Sequence, residues 1–170
     1  MEIGSIKIQA KIEQADYVSY VWRANISKPM ILLTILGGVV VLGIGIFGII
    51  RSSSDSMAYF NVYLGLVFTV LYPIRIPFRA RKMYRESARL SEPATYEITP
   101  DKVTVTGESY TSEFDWEKFH KIGEMKDWIL LYHNRIVAEL LPKKSFTSDQ
   151  LTAFRQMVNS KPGVTSKLWS

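Results

Sequence analysis

The 170-residue chain contains no cysteine, which excludes a disulfide framework, thiolate metal sites and a cysteine nucleophile together. Histidine is nearly as scarce. The only two, His120 and His133, have no E-x-x-H or H-x-x-x-H partner, the spacings that set two metal ligands on one helix face. There is no nucleophile motif and no phosphate-cradling glycine loop, because Gly37, Gly38, Gly43, Gly45 and Gly48 all fall inside one apolar run. Asp115 and Glu117 flank Trp116, but acid-base work by two carboxylates needs a cleft that nothing around them indicates, so they read as solvated strand residues. These absences point away from an enzyme, and neither a metal nor a cofactor is expected.

Charge is missing from one long stretch. Pro29 to Ile50, PMILLTILGGVVVLGIGIFGII, has none and carries a single hydroxyl, Thr34. At about 1.5 Å of rise per residue the run covers roughly 33 Å as a helix, enough for a hydrocarbon core of about 30 Å. It begins too late and runs too long for the apolar part of a signal peptide. A second apolar run occupies 58–76, and the connection RSSSDS is too short to hold a domain. A transmembrane hairpin of two antiparallel helices, 29–50 and 58–76, is therefore expected. Neither span contains an acid or a histidine, so the hairpin alone suits neither a pump nor a proton relay. Asn61 lies about one turn from the loop, where water or backbone can satisfy it. Tyr59, Tyr63 and Tyr72 fall near the helix ends, as in an aromatic belt.

Small residues mark a packing face. Gly38 and Gly45 recur on one side of the first span, with Gly37 and Gly48 close to it, and Gly65 and Thr69 have the small-xxx-small spacing in the second. These faces are expected to pack together; the alternative is that glycine is simply commoner in membrane helices than in soluble ones.

The net charge of +5 suggests nucleic acid until it is divided along the chain. Residues 1–50 have four cations and three acids, 51–74 one of each, and 92–170 ten cations and eleven acids. The excess lies in 75–91, where Arg75, Arg79, Arg81, Lys82, Arg85 and Arg89 face Glu86 alone. A cluster beside a span argues for topology and anionic headgroups; a nucleic-acid binder spreads its cations over a folded face, and none is expected as a partner here. Arg23 and Lys28 precede the first span and the loop has only Arg51, so both termini are placed in the cytoplasm. Arg79, Arg81, Lys82, Arg85 and Arg89 are the candidate headgroup contacts, on a helix continuing over 77–91 to a stop at Pro93; an ordinary stop-transfer flank has the same composition.

Outside the spans the period changes. Residues 3–12 alternate Ile6, Ile8, Ala10 and Ile12 against Lys7, Gln9 and Lys11, as a half-buried strand does, and a short helix over 13–27 carries Tyr17, Val18, Val21 and Trp22 on one stripe. From Ala94 short strands follow: 95–99, 102–106, 110–116, 119–125, 128–132 and 136–141, the last stopped by Pro142. Thr147 and Gln150 form a capping box for a closing helix with Leu151, Phe154, Met157 and Val158 on its apolar side, ended by Lys161, Pro162 and Gly163.

The arrangement resembles the YcxB-like family of bacterial membrane proteins. The residues that carry the resemblance are Trp116, Phe119, Lys121, Ile122 and Glu124, then 128–132, then Leu140 to Phe146 including Pro142, and Gln150, Leu151 and Phe154. Of these Trp116, Trp128, Pro142, Phe146 and Phe154 are taken as structural. The resemblance implies a tail like bacterial pleckstrin-homology (PH) domains, a bent sheet of about seven strands plugged by a C-terminal helix, and no particular activity. The tail supplies six strands, so residues 3–12 are expected to join the same sheet. The expected fold class is thus an α+β membrane protein: a two-helix transmembrane hairpin plus a cytoplasmic PH-like bent β-sheet with a C-terminal helix. Its parts are an N-terminal strand and interfacial helix (1–28), the hairpin (29–76), a basic juxtamembrane helix (77–91) and a PH-like domain (92–170).

The function this suggests is a non-enzymatic, membrane-anchored interaction module in the bacterial inner membrane. Its partners would be membrane lipids and another protein or a second copy, met at a sheet edge or beside the closing helix. Alternatives are an anionic-lipid sensor, for which Lys143, Lys144, Arg135 and Lys126 offer a second basic rim, and a small subunit of a membrane complex or transporter. A hydrolase or transferase hidden in the tail would require a deep polar pocket.

Overall fold

The computed structural model describes residues 4–135, 137–161 and 165–168. Two compact units emerge, one made of Met1–Ile12 with Ser87–Ser170, the other of Glu13–Glu86. The first unit is therefore discontinuous in sequence, and the second is inserted into it.

In the discontinuous unit the alternation IKIQA forms strand β1, Ile6–Ala10, with every second side chain buried. It pairs antiparallel with β2, Ala94–Ile98, setting Ile6 opposite Ile98 and Ala10 opposite Ala94. Strands β3 (Lys102–Thr106) and β4 (Thr111–Asp115) complete a sheet of order β1-β2-β3-β4. The turn between β2 and β3 is closed by Thr99, whose Oγ1 donates to the Lys102 carbonyl and accepts from its amide. A second sheet has the order β7-β6-β5-β8, with β5 at Lys121–Glu124, β6 at Trp128–Tyr132, β7 at Ala138–Pro142 and a short parallel β8 at Ser166–Lys167.

One core lies between the sheets. Ile8, Tyr96, Val103, Ile122, Leu131 and Leu141 meet there with Phe154, Met157 and Val158 of the closing helix α6, Ser148–Asn159. The capping box is present, with Thr147 Oγ1 accepting from the Gln150 amide and Gln150 Oε1 from the Thr147 amide. Gln150 also reaches back, its Nε2 donating to the Lys7 carbonyl at 3.2 Å. The start of the last helix is thereby bonded to the first strand.

Several boundaries differ from the sequence reading. Trp116 does not continue β4: it opens a 3-10 turn, Trp116–Lys118, in which its Nε1 donates to the Thr99 carbonyl and its ring packs on Phe119 and Phe154. Burying a large ring with its N–H satisfied outweighs extending the strand's alternation. The seven anticipated strands, expected in one bent sheet, are divided between two sheets, and β8 joins the second. Pro142 closes β7 as its last paired residue, opposite Trp128. Ile136, Pro162 and Gly163 lie outside the described residues.

The inserted unit is helical. Helix α1, Gln14–Ile26, is followed by α2, Pro29–Arg51, with Pro29 in the first turn where its missing amide costs nothing. Asp55 then caps α3, Ser56–Leu66, accepting from the amides of Met57 and Ala58. A π-helical turn at Val67–Leu71 leads into α4, Tyr72–Glu86, so the helix runs unbroken from Ser56 to Glu86. Pro73 has no amide to offer the Thr69 carbonyl and crowds it, and the widened turn relieves that clash. The helix does not continue to Pro93. It breaks at Ser87, which is extended, and only a single turn, α5, Ala88–Ser91, follows. Residues 77–91 are accordingly no separate helix: the division falls at Glu86 and Ser87, and another at Ile12 and Glu13 separates β1 from α1.

Small residues bring α2 and α3 together. A Cβ on Gly65 would lie 2.6 Å from Leu42 Cα, one on Gly45 2.6 Å from the Val62 amide, and one on Gly38 2.7 Å from Thr69 Oγ1. Backbone stands where a side chain would go, so glycine is required at Gly45 and Gly65. Gly48 faces Ala58, whereas Gly37 looks into open space. Helix α2 and the continuous helix Ser56–Glu86 are each long and apolar enough to cross a membrane.

Candidate functional site

Three polar constellations stand out. The first is centred on Glu124, at the end of β5, whose carboxylate is fully buried. Lys143, in the turn after β7, places Nζ 2.5 Å from its Oε1, and Arg155 on α6 donates from Nη2 at 2.7 Å and Nε at 3.2 Å. This double contact raises the Arg155 pKa above its ordinary value. Three elements far apart in sequence are thus tied by one carboxylate. Lys143 is consequently removed from the basic rim anticipated with Lys144, Arg135 and Lys126.

The second constellation corrects the role expected of Arg89. It does not stand on a headgroup helix with Arg81 and Arg85, because the break at Ser87 carries it into the β unit. There Nη1 donates to Glu139 Oε1 at 2.7 Å, Nη2 to Ser112 Oγ at 2.8 Å, and the guanidinium lies over the Tyr110 ring at 5.2 Å. Strands β4 and β7, from different sheets, are joined by this one side chain. Glu139 Oε1 also lies 3.8 Å from His133 Nε2, and the imidazole packs against Phe114 and Phe119. Such a cluster fastens a seam.

Tyr96 and Tyr110 lie beside it. Burial raises both phenol pKa values, and the Glu139 carboxylate raises them further. Above the unfolded value near 10 the folded state then binds more protons than the unfolded one, so stability falls as pH rises. Unfolding of the β unit followed against pH is expected to show a loss of about 1.4 kcal/mol per pH unit from Tyr96 above about pH 10. The Tyr96→Phe variant lacks that contribution; parallel profiles for the two proteins would contradict it.

The third lies in the helical unit, where α1 and α4 border an open cleft of about 810 Å³ lined by Gln14, Val18, Ser19 and Trp22 on one side and Arg81 and Arg85 on the other. Of the five candidate headgroup residues, these two arginines line the cleft. Lys82 pairs instead with Glu86 at 3.7 Å, Arg79 is exposed, and Arg89 belongs to the other unit.

The two carboxylates weighed for acid-base work lie at the surface. Asp115 is fully exposed and held by Lys118 at 2.6 Å, whose hydrogen bond lowers the carboxyl pKa. Glu117 and His120 are exposed too. Among the described residues no group of three His, Asp or Glu side chains is placed to hold a metal.

Comparison with protein-family models gives a match. Residues 98–158 match the YcxB-like protein family. This YcxB-like segment starts at the last residue of β2 and ends within α6, so β1 and the helical insertion lie outside it. It contains the five aromatic and proline residues singled out in the sequence. Trp116, Trp128 and Phe154 are buried, Pro142 is fully buried, and the Phe146 ring packs against Phe154 at a tilt, with centroids 5.8 Å apart. It also contains Glu124, Lys143 and Arg155, the triad that sequence reasoning missed. Glu124 and Lys143 were quoted as parts of motifs, but nothing local signals that they meet. No curated protein and no solved structure gave a match.

Proposed function

We propose that the chain is a non-enzymatic interaction module of the bacterial inner membrane. A PH-like β domain is held at the cytoplasmic face by a two-span hairpin inserted between its first two strands. The observation that carries this reading is the inverted burial of α2. The helix buries Ile31, Gly38 and Gly45, while Met30, Leu33, Phe47 and Ile50 are 72%, 62%, 64% and 78% exposed. A core helix of a soluble domain buries its large apolar side chains and shows polar ones to water; this one leaves most of its large apolar side chains exposed, and hydrocarbon is the solvent that suits it.

The pairing of β1 with β2 supports the topology. Two spans return the chain to the side it left, which is where β1 waits for β2. Arg23 and Lys28 before the first span and the arginines after the second make that side the cytoplasmic one. Four strands in one sheet, three long strands in the next and α6 against their shared core support the PH-like arrangement. Among the described residues strand β4 pairs only with β3, and Thr111, Glu113 and Asp115 are exposed along it, which leaves an edge for another protein or a second copy. Crosslinking of the full-length chain in native membranes is expected to trap such a partner. Finding neither a partner nor self-assembly would remove the basis for this function.

A further inference from the structure

We infer that the cleft between α1 and α4 binds the phosphate of an anionic phospholipid in the leaflet on the side of the chain termini. The inference rests on the reading that α2 and the Ser56–Glu86 helix span the membrane. Arg81 and Arg85 recur four residues apart and therefore share a helix face, and both line the cleft. Among the described residues no carboxylate lines it with them, and the one acid on α4, Glu86, pairs with Lys82. Two guanidinium groups in a lining that holds no carboxylate make a fork that matches phosphate oxygens better than any neutral ligand.

Position agrees with chemistry. Arg81 lies six residues beyond Arg75, the first charge after the apolar run, or roughly 9 Å along a helix, about where the headgroup layer outside a hydrocarbon core of about 30 Å ends. Helical side chains tilt toward the helix N-terminus, which in α4 is the end that leaves the apolar segment, so Arg85 leans back toward the bilayer. The opposite wall suits the rest of a lipid. Trp22 offers an amphipathic ring of the kind that settles at headgroup level, Val18 an apolar surface for the first acyl carbons, and Ser19 and Gln14 hydrogen-bonding groups for the glycerol. Arg81 is further held over the Phe78 ring at 5.8 Å. A stop-transfer flank needs charge but no cleft, and here two of its arginines share one.

The test uses the full chain in nanodiscs of phosphatidylcholine with and without phosphatidylglycerol, reading retained lipid by native mass spectrometry. Carbonate extraction of native membranes first checks the spanning reading: release of the chain overturns that reading itself. With the chain retained, R81Q/R85Q is expected to lower phosphatidylglycerol retention about tenfold or more, the loss of two charge-assisted contacts. R79Q/K82Q removes the same charge from outside the cleft and is expected to leave retention nearly unchanged. Equal losses in both variants would reduce the effect to general electrostatics and overturn the site. Displacement of the lipid by millimolar inorganic phosphate would overturn the assignment to a lipid.

Discussion

A chain lacking residues 1–12 is expected to lose the folded β domain, although the deletion lies far outside the YcxB-like segment at 98–158. The deleted piece buries Ile6, Ile8, Ala10 and Ile12 to 5% exposure or less. At about 1.5–3 kcal/mol for each fully buried isoleucine, the three isoleucines alone contribute on the order of 5–9 kcal/mol, comparable with the whole stability of a small domain. The deletion also strips β2 of its partner along five residue pairs and removes the Lys7 carbonyl that accepts from Gln150. A milder change, Ile8→Ala, is expected to cost about 2–5 kcal/mol. Limited proteolysis reads both: the region from β2 to α6 should be cut rapidly in the deleted chain and at an intermediate rate in the Ile8 variant. Unchanged resistance would mean that β1 is an appendage.

Glu124→Ala is expected to destabilise the same domain by about 3–5 kcal/mol, the range for breaking a buried ion pair. The carboxylate is fully buried, and its loss takes from Lys143 and Arg155, with side chains only 14% and 27% exposed, the acid they share and leaves two cations close to each other. Arg155→Met should cost less, because Lys143 still neutralises Glu124. The triple replacement Glu124→Leu, Lys143→Met and Arg155→Met removes all three charges and should recover most of the loss, since apolar residues of similar volume substitute for buried ion pairs at little or no cost. Denaturant unfolding of the four proteins gives the comparison. A triple variant as unstable as Glu124→Ala would show that the cost lies in packing and not in the uncompensated charges.

The hairpin, the alternating β1 and the capped α6 were legible because each is written in a local period or a fixed offset. An unbroken apolar run, a two-residue alternation and a threonine three residues before a glutamine need no partner to be recognised. Arg89 was misplaced for the same reason. Arg81, Arg85 and Arg89 recur every four residues, and that period describes one face only while the helix lasts. Contacts to Glu139, Ser112 and Tyr110, made across the chain, go with its end at Glu86 instead. Glu124 sits in KIGEMK, read as part of a strand over 119–125 with nothing local to mark the carboxylate, and it becomes a buried anchor through Lys143 and, 31 residues away, Arg155. Of the third constellation the sequence showed both walls separately, the aromatic stripe of α1 and the arginines of α4, without showing that they face each other across a cleft.

The central claim is that the β domain is continuous in space across the inserted hairpin, with β1 beside β2. The chain's lack of cysteine makes this directly measurable, because Gln9→Cys with Thr95→Cys creates the only thiol pair. These residues are direct partners in the antiparallel register, a distance a disulfide can bridge with slight adjustment. With a protease site placed in the 52–55 turn, mild oxidation in native membranes followed by cleavage should leave the two halves joined on a non-reducing gel and separate them on a reducing one. The pair Gln9→Cys with Glu97→Cys, displaced by two residues, should crosslink far less. Halves that separate without reductant, or equal crosslinking from both pairs, would contradict the pairing and with it the reading of the hairpin as an insertion.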